Sequence, residues 1–247
     1  MQDSAPPSSY YAHREGRWVG EPEWPSPNVE MQEHRLAPGF ELVAGGDAVD
    51  ERALRINSPL SVGLKGGKWC SYIAPPDLPH DQRESDGGSL VFDTPWLTEP
   101  VEIAGQPVVE LDISADKPVA QVCVRLIDVH PNDAETRVSY GLLNLTHRDS
   151  DEEPTPLEPG KRYRVRVKLN YIAQRFPKDH AIRIAISSSS VFRSFIFCCA
   201  TSRSLSFGRT ATVSAFGFEA PFGIPAARLI RSEVSGCLTT KVKERSS

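Results

Sequence analysis

The serines of this 247-residue sequence do not occur in the setting that an α/β-hydrolase gives its nucleophile. Such a serine lies on a sharp strand-to-helix turn written G-x-S-x-G, and the sequence lacks this pattern. Ser139 precedes Tyr140 and Gly141 inside a segment of alternating polarity, and Ser235 lies in a polar tail. We therefore predict a structural role for both serines.

The histidines also lack the spacing that catalysis or metal binding would require. A helical zinc site places two histidines at i and i+4 with a glutamate between them, and no pair in the sequence does so. Each histidine lies in or directly after a predicted turn, where solvent exposure or capping is the usual role. We predict no metal or general-base role for any of the six, which are His13, His34, His80, His130, His147 and His180.

Four acidic residues crowd one loop and could in principle bind calcium. The loop lacks both the Asp/Asn spacing and the glycine of a calcium-binding loop. A solvated hairpin tip is therefore the better prediction. The residues are Asp149, Asp151, Glu152 and Glu153.

Glycine pairs and tryptophans suggest two further kinds of binding site, a phosphate-binding loop and a sugar-stacking surface. Gly66-Gly67 and Gly87-Gly88 are predicted to be turns, because no Lys-Ser/Thr pair follows at the spacing of a phosphate-binding loop. Trp69 and Trp96 could stack on sugar rings, but buried packing or docking is favoured. The sequence thus predicts no catalytic, cofactor-binding or metal-binding residue, and no cofactor.

Composition excludes several classes of partner. The net charge is -4 and the basic residues are dispersed, whereas nucleic-acid binding needs a concentrated basic face. The most apolar stretch, residues 182–200, is interrupted by Arg183, Arg193 and four consecutive serines, so no membrane span is predicted. The five cysteines include no C-x-x-C pair, which favours a reducing, cytoplasmic location.

The elements that would position any site are strands. Tyr163, Val165, Val167 and Leu169 alternate with basic residues, and Val109, Leu111 and Ile113 alternate with Glu110 and Asp112, which are predicted to face solvent. Residues 121–129 are apolar on both faces, as in a covered central strand. Strands separated by Pro/Gly-rich turns predict an all-β jelly-roll sandwich. The predicted strands are 89–92, 108–114, 121–129, 138–145, 162–170 and 181–186.

Five motifs follow one another along the chain: LPHDQRESDGGSLVFD (78–93), LIDVHP (126–131), YGLLNLTHR (140–148), LEPG (157–160) and FPKDHAIRIAIS (176–187). Together they resemble the C-terminal domain of Xaa-Pro dipeptidyl-peptidases, which also closes the cocaine-esterase-like (CocE/NonD) hydrolases. The lead-in GRWVGEPEWP (16–25) resembles the segment that joins this domain to the hydrolase core. The resemblance covers residues 1–190.

The resemblance implies a galactose-binding-like jelly roll appended to an α/β-hydrolase domain. In that family the nucleophilic serine, the aspartate and the histidine all lie in the hydrolase domain, and no position here matches that motif. The chain alone is therefore expected to be inactive. Its expected partner is a hydrolase domain of the same family or a second copy of the chain.

Three segments are expected. Residues 1–35 form an extended lead-in, residues 36–190 form the sandwich, and residues 191–247 form a divergent tail that could complete it. The first residues resemble an internal segment of longer relatives, and the resemblance stops after Ser190. A fragment, a split gene product or a frameshifted remnant would each explain this. Aromatic anchors expected to contribute to a docking face are Tyr10, Tyr11, Trp18 and Trp24.

Three function classes remain open from the sequence. The favoured one is a non-catalytic structural domain of a dipeptidyl-peptidase-like or esterase-like serine hydrolase. The alternative is a carbohydrate-binding module, suggested by fold class and aromatic residues. A self-sufficient hydrolase is the third, and the missing nucleophile motif disfavours it.

Overall fold

A computed structural model describes residues 20–23, 26–45, 53–67 and 78–189, and the backbone of residues 205–218. Within these residues nearly all regular structure is β-strand. The exceptions are a single helical turn, α1 (Arg83–Asp86), and a 3-10 turn at Leu145–His147. None of the described helices is long and apolar enough to cross a membrane.

Twelve strands are present in the described part of the chain. All six predicted strands occur, each within three residues of its predicted ends. The strands are β1 (Val29–Ala37), β2 (Glu41–Ala44), β3 (Leu54–Ile56), β4 (Leu90–Asp93), β5 (Val101–Gly105), β6 (Val108–Ala115), β7 (Gln121–Val129), β8 (Glu135–Asn144), β9 (Tyr163–Lys168), β10 (Ile172–Phe176), β11 (Ala181–Ser187) and β12 (Leu205–Phe218).

The strands form a curled sheet whose two halves pack face to face. The hydrogen-bonded order is β10-β5-β12-β1-β2-β4-β11-β7-β8, with β6 joined to β12 and β9, and β3 joined to β12. A single parallel contact, between Glu41 of β2 and Asp93 of β4, joins the two halves. This is the predicted all-β sandwich.

Alternating apolar side chains fill the space between the two halves. Val165 and Val167 of β9 are buried as predicted, and Val109, Leu111 and Ile113 of β6 pack in the same core. Burying one such side chain contributes about 1.5–3 kcal/mol, so this layer is the main source of stability. The opposite half contributes Val122, Val124, Leu126, Ile182, Ile184 and Ile186.

The prediction that Glu110 faces solvent is wrong. Glu110 is only 7% exposed, because two arginines of the neighbouring strand β9 lie across it. Arg164 Nη2 lies 2.7 Å from Glu110 Oε2, and Arg166 Nε lies 3.1 Å from Glu110 Oε1. The alternating pattern therefore predicts correctly on which face of the sheet Glu110 lies, but not how exposed its side chain is.

Two segments, residues 57–67 and 78–89, cover the outer face of strands β4, β11, β7 and β8, and we call them the outer layer. Ser58 N–H donates to Ser188 Oγ at 2.9 Å, and Gly63 N–H donates to Ser85 Oγ at 3.1 Å. Arg125 of β7 points into the outer layer and donates to Gln82. The outer face of β7, which includes Cys123, is therefore buried as well as its inner face.

The strands extend into both flanking segments. β1 begins at Val29 inside the predicted lead-in, and β12 lies inside the predicted tail. β12 pairs along its length with β1 and β6, so the backbone of the tail contributes to the curled sheet. The predicted docking aromatics Tyr10, Tyr11, Trp18 and Trp24 lie outside the described residues.

Candidate functional site

Ser139 lies within β8 as predicted, with its side chain buried. Its hydroxyl donates to the Asn170 carbonyl at 2.9 Å, which holds the middle of β8 against the chain after β9. A Cβ atom on Gly141 would lie 2.4 Å from the Lys168 carbonyl oxygen, so the strands approach too closely there for any side chain. The serine and glycine of this motif therefore serve strand packing. Ser235 lies outside the described residues.

Charged residues of the 78–93 motif meet two arginines beneath the outer layer. Arg125 Nη2 lies 2.7 Å from Asp86 Oδ1 and donates to Ser89 Oγ at 2.8 Å. Its Nη1 donates to Gln82 Oε1 at 3.1 Å. Charged hydrogen bonds in a dry setting are strong only when each group has partners, and here one arginine holds three side chains of the same motif.

Arg183 of β11 completes this buried ion network. Its guanidinium makes a bidentate contact with Asp93, at 2.6 Å and 2.7 Å, and reaches Asp86 Oδ2 at 3.1 Å. Its Nη1 also donates to Glu135 Oε1. The hydrogen bond to Asp93 raises the pKa of Arg183. The network therefore ties β4, β8, β11 and α1 together.

Glu135 is the group in this network whose charge is disfavoured. Burial raises its pKa to about 8, and the nearby charge of Asp86 adds to the effect, while Arg183 opposes it. Near neutral pH the carboxyl is mostly protonated. The network then holds two arginines against the two carboxylates of Asp86 and Asp93, which balances its charge.

A second cluster joins Asp128, His130 and His180 at one end of the sandwich. Asp128 Oδ1 lies 2.7 Å from His180 Nδ1, and Asp128 Oδ2 lies 4.0 Å from His130 Nε2. The two imidazole rings are 4.6 Å apart, and His130 Nε2 also contacts Thr136 Oγ1 at 3.0 Å. One ligand atom from each of the three residues lies within 4.8 Å of the other two, a grouping of the size that can hold a metal ion.

Sequence reasoning missed this cluster because its residues are distant along the chain. Asp128 and His180 are separated by 52 positions and meet only through the pairing of β7 with β11. The available signal was the D-x-H spacing at the end of a predicted strand, since alternate residues of a strand share one face.

The other histidines lie elsewhere. His34 is in β1, where burial lowers its pKa to about 4 and keeps the ring neutral. His80 is exposed, and His147 contacts the Ser150 carbonyl at 3.1 Å. His13 lies outside the described residues. Asp151, Glu152 and Glu153 of the acidic loop are open to solvent as predicted, but the loop is not a hairpin tip, because it joins β8, which pairs with β7, to β9, which pairs with β6.

Trp96 and Tyr171, two exposed aromatic residues of the described part of the chain, do not share one stacking surface. Trp96 is 53% exposed and lies beside the turn that follows β10, because the neighbouring Leu97 hydrogen-bonds to His180. Tyr171 is 70% exposed but precedes β10, about 16 Å away along the five-residue strand. Trp69 lies outside the described residues. This separation prevents Trp96 and Tyr171 from stacking on adjacent sugars of one oligosaccharide.

Comparison with known proteins places these features in one family. The X-Pro dipeptidyl-peptidase C-terminal non-catalytic domain matches residues 1–212. The chain belongs to this family. The match extends beyond residue 190 into the segment that contains the first part of β12.

Longer curated proteins show the same relationship. A Mycobacterium bovis protein named as a serine esterase is 27% identical over 214 residues, which cover 75% of this chain and 33% of that protein. Cocaine esterase of a Rhodococcus species is 28% identical over 114 residues, covering 45% of this chain and 20% of the esterase. The chain thus spans at most about a third of these relatives.

Solved structures share the fold. An aminopeptidase from a marine sediment Thaumarchaeota archaeon aligns with a TM-score of 0.70 at 18% identity, over 82% of this chain and 39% of that chain. An α-amino acid ester hydrolase aligns with a TM-score of 0.58 at 21% identity, over 74% and 35%. A CocE/NonD family hydrolase of Staphylococcus aureus aligns with a TM-score of 0.55 at 14% identity, over 86% and 38%.

This chain is a non-catalytic C-terminal domain of the kind found in X-Pro dipeptidyl-peptidases, and it aligns with only a third of a relative named as a serine esterase. The motifs that carry the resemblance meet in the two clusters: Gln82, Asp86, Asp93 and Arg183 in the ion network, and Asp128, His130 and His180 at the end of the sandwich.

Proposed function

We propose that this domain packs against an α/β-hydrolase core, in the same polypeptide or in a separate chain, and supports it without contributing a catalytic residue. The observation that carries the proposal is the match of residues 1–212 to a non-catalytic domain, in a chain that spans only a third of its esterase-named relative. The assembled protein would be a serine hydrolase of acyl esters or Xaa-Pro peptides.

Burial of the one serine motif in the described sandwich supports this proposal. A nucleophile must present its oxygen to substrate beside a base, whereas the Ser139 hydroxyl is buried and donates to a backbone carbonyl. We further propose a reducing, cytoplasmic location, which the absence of any C-x-x-C pair among the five cysteines favours.

Active-site labelling tests the proposed role. The purified 247-residue chain should neither hydrolyse Xaa-Pro-nitroanilide or short acyl esters nor react with a fluorophosphonate probe. Full-length Rhodococcus cocaine esterase, treated in parallel, provides the positive control. Labelling of one serine per chain, located by mass spectrometry, would overturn the proposal and favour a self-sufficient hydrolase.

A further inference from the structure

Strand register brings Asp128, His130 and His180 to one point. β7 and β11 are antiparallel with Ile182 opposite Asp128 and Ala181 opposite Val129, so the next pair along is His180 and His130. Asp128 lies in β7 and His130 directly follows the last residue of β7, so the two residues, two positions apart, lie on the same side of the sheet. The pairing of β7 with β11 therefore brings the backbone of all three residues together.

The ligand atoms already lie close to the separations that a metal ion requires. Imidazole nitrogen and carboxylate oxygen bind Zn²⁺ at about 2.0–2.2 Å, which places two ligands of a tetrahedral ion about 3.3–3.6 Å apart. The measured separations from Asp128, 2.7 Å to His180 and 4.0 Å to His130, lie on either side of that range. The two distances run to different oxygens of the same carboxylate, and one ligand atom from each of the three residues lies within 4.8 Å of the other two, so side-chain adjustments of on the order of an ångström would bring them around one ion.

The surroundings hold the ligands in place and leave a path for solvent. The Asp128 side chain is 7% exposed, while those of His130 and His180 are 12% and 13% exposed. The Leu97 N–H donates to the His180 carbonyl at 2.8 Å, and the His130 N–H donates to the Ala134 carbonyl at 2.9 Å. A buried carboxylate that faces two imidazoles can bind one cation together with them, and the cation would offset the charge of the carboxylate.

We propose that Asp128, His130 and His180 bind a divalent transition-metal ion of the Zn²⁺ class. Two nitrogen ligands and one oxygen ligand suit Zn²⁺. Ca²⁺ and Mg²⁺ prefer sites made of oxygen ligands alone, so this ligand set does not suit them. Solvent fills the remaining coordination position, because both histidines retain some exposure. The ion links the end of β7 to the turn that precedes β11.

Calorimetric titration of the chelator-treated chain with Zn²⁺ tests the site. We expect one equivalent to bind, and we expect His130→Ala and His180→Ala each to weaken binding at least about tenfold, since loss even of a supporting partner commonly has that effect. The matched control is His80→Ala, which removes an exposed histidine and should leave the affinity unchanged. Titration with Ca²⁺ should give no binding at this site.

Two further readouts separate loss of the site from loss of the fold. Zn²⁺ should raise the melting temperature of the natural chain and of His80→Ala, but not of His180→Ala. Co²⁺ should give visible absorption bands that Asp128→Asn alters in a chain whose far-ultraviolet circular dichroism is unchanged. The proposal is overturned if no equivalent of Zn²⁺ binds, or if folded His130→Ala and His180→Ala variants bind as tightly as the natural chain.

Discussion

For the Glu135 carboxyl, burial and the neighbouring charge of Asp86 both raise the pKa. This carboxyl is buried beside Asp86, so the ionised form loses solvation and meets a like charge. In the folded state its pKa rises to about 8 from an ordinary value of 4.5. The folded chain thus binds a proton that the unfolded chain releases between these pH values.

The direction of the pH dependence follows from this difference. The contribution of Glu135 to stability is complete below about pH 4.5 and is lost as the pH rises through about 8. Glu135→Gln keeps a neutral group that can donate and accept, so it should flatten the pH profile. At pH 9 the variant should be more stable than the natural chain by on the order of 2 kcal/mol.

Urea unfolding at pH 6, 7.5 and 9 measures this effect. The matched control is Glu158→Gln, which changes a carboxyl that is 71% exposed and paired with Lys161. Its pH profile should follow that of the natural chain. Parallel profiles for Glu135→Gln and the natural chain would show that Glu135 does not titrate as proposed.

Among the elements, β9 shows which features of a strand its alternating sequence predicts and which it does not. Val165 and Val167 are buried against the opposite sheet half, as the alternation predicts. Lys168 is exposed, whereas Arg166 is only 30% exposed because it lies against Glu110. The basic face of β9 is thus partly a layer over a buried carboxylate.

Introducing one charge on each face of β9 tests its register. Val167→Asp should destabilise the chain by about 3 kcal/mol or more, because it buries a carboxylate in the core without a partner. Lys168→Asp introduces the same side chain at the next, exposed position and should change stability by about 0.5 kcal/mol or less. Equal shifts in the urea midpoint for the two variants would contradict the observed register.

The strands that the sequence predicted show either alternating polarity or a short, largely apolar run between turn residues. β1 was missed because its sequence, VEMQEHRLA, is mostly polar, and its role depends on pairing with β12 about 180 residues later. The clusters were missed for the same reason. Arg183 meets Asp86 across 97 positions, and only strand pairing decides which distant charges share one space.

At the scale of the whole molecule, the outer layer carries exposed apolar side chains. Leu60 is 61% exposed and Leu64 is 47% exposed, and both lie on the outer side of strands β4, β11, β7 and β8. Relatives of this chain contain a further two-thirds of their length beyond the matched region. We therefore expect this side to contact the hydrolase core, which is consistent with the proposed function.

Without that core, the isolated chain should self-associate through the same side. Leu60→Ser combined with Leu64→Ser should reduce the association without unfolding the sandwich, because both residues lie outside the strands. Tyr171→Ser removes a more exposed apolar residue from the turn before β10, away from the outer layer, and should leave the association unchanged. Sedimentation velocity over a range of concentrations measures the association, and binding of a fluorescent dye reports the apolar surface. A strictly monomeric natural chain that binds no dye at high concentration would exclude the outer layer as an uncovered docking side.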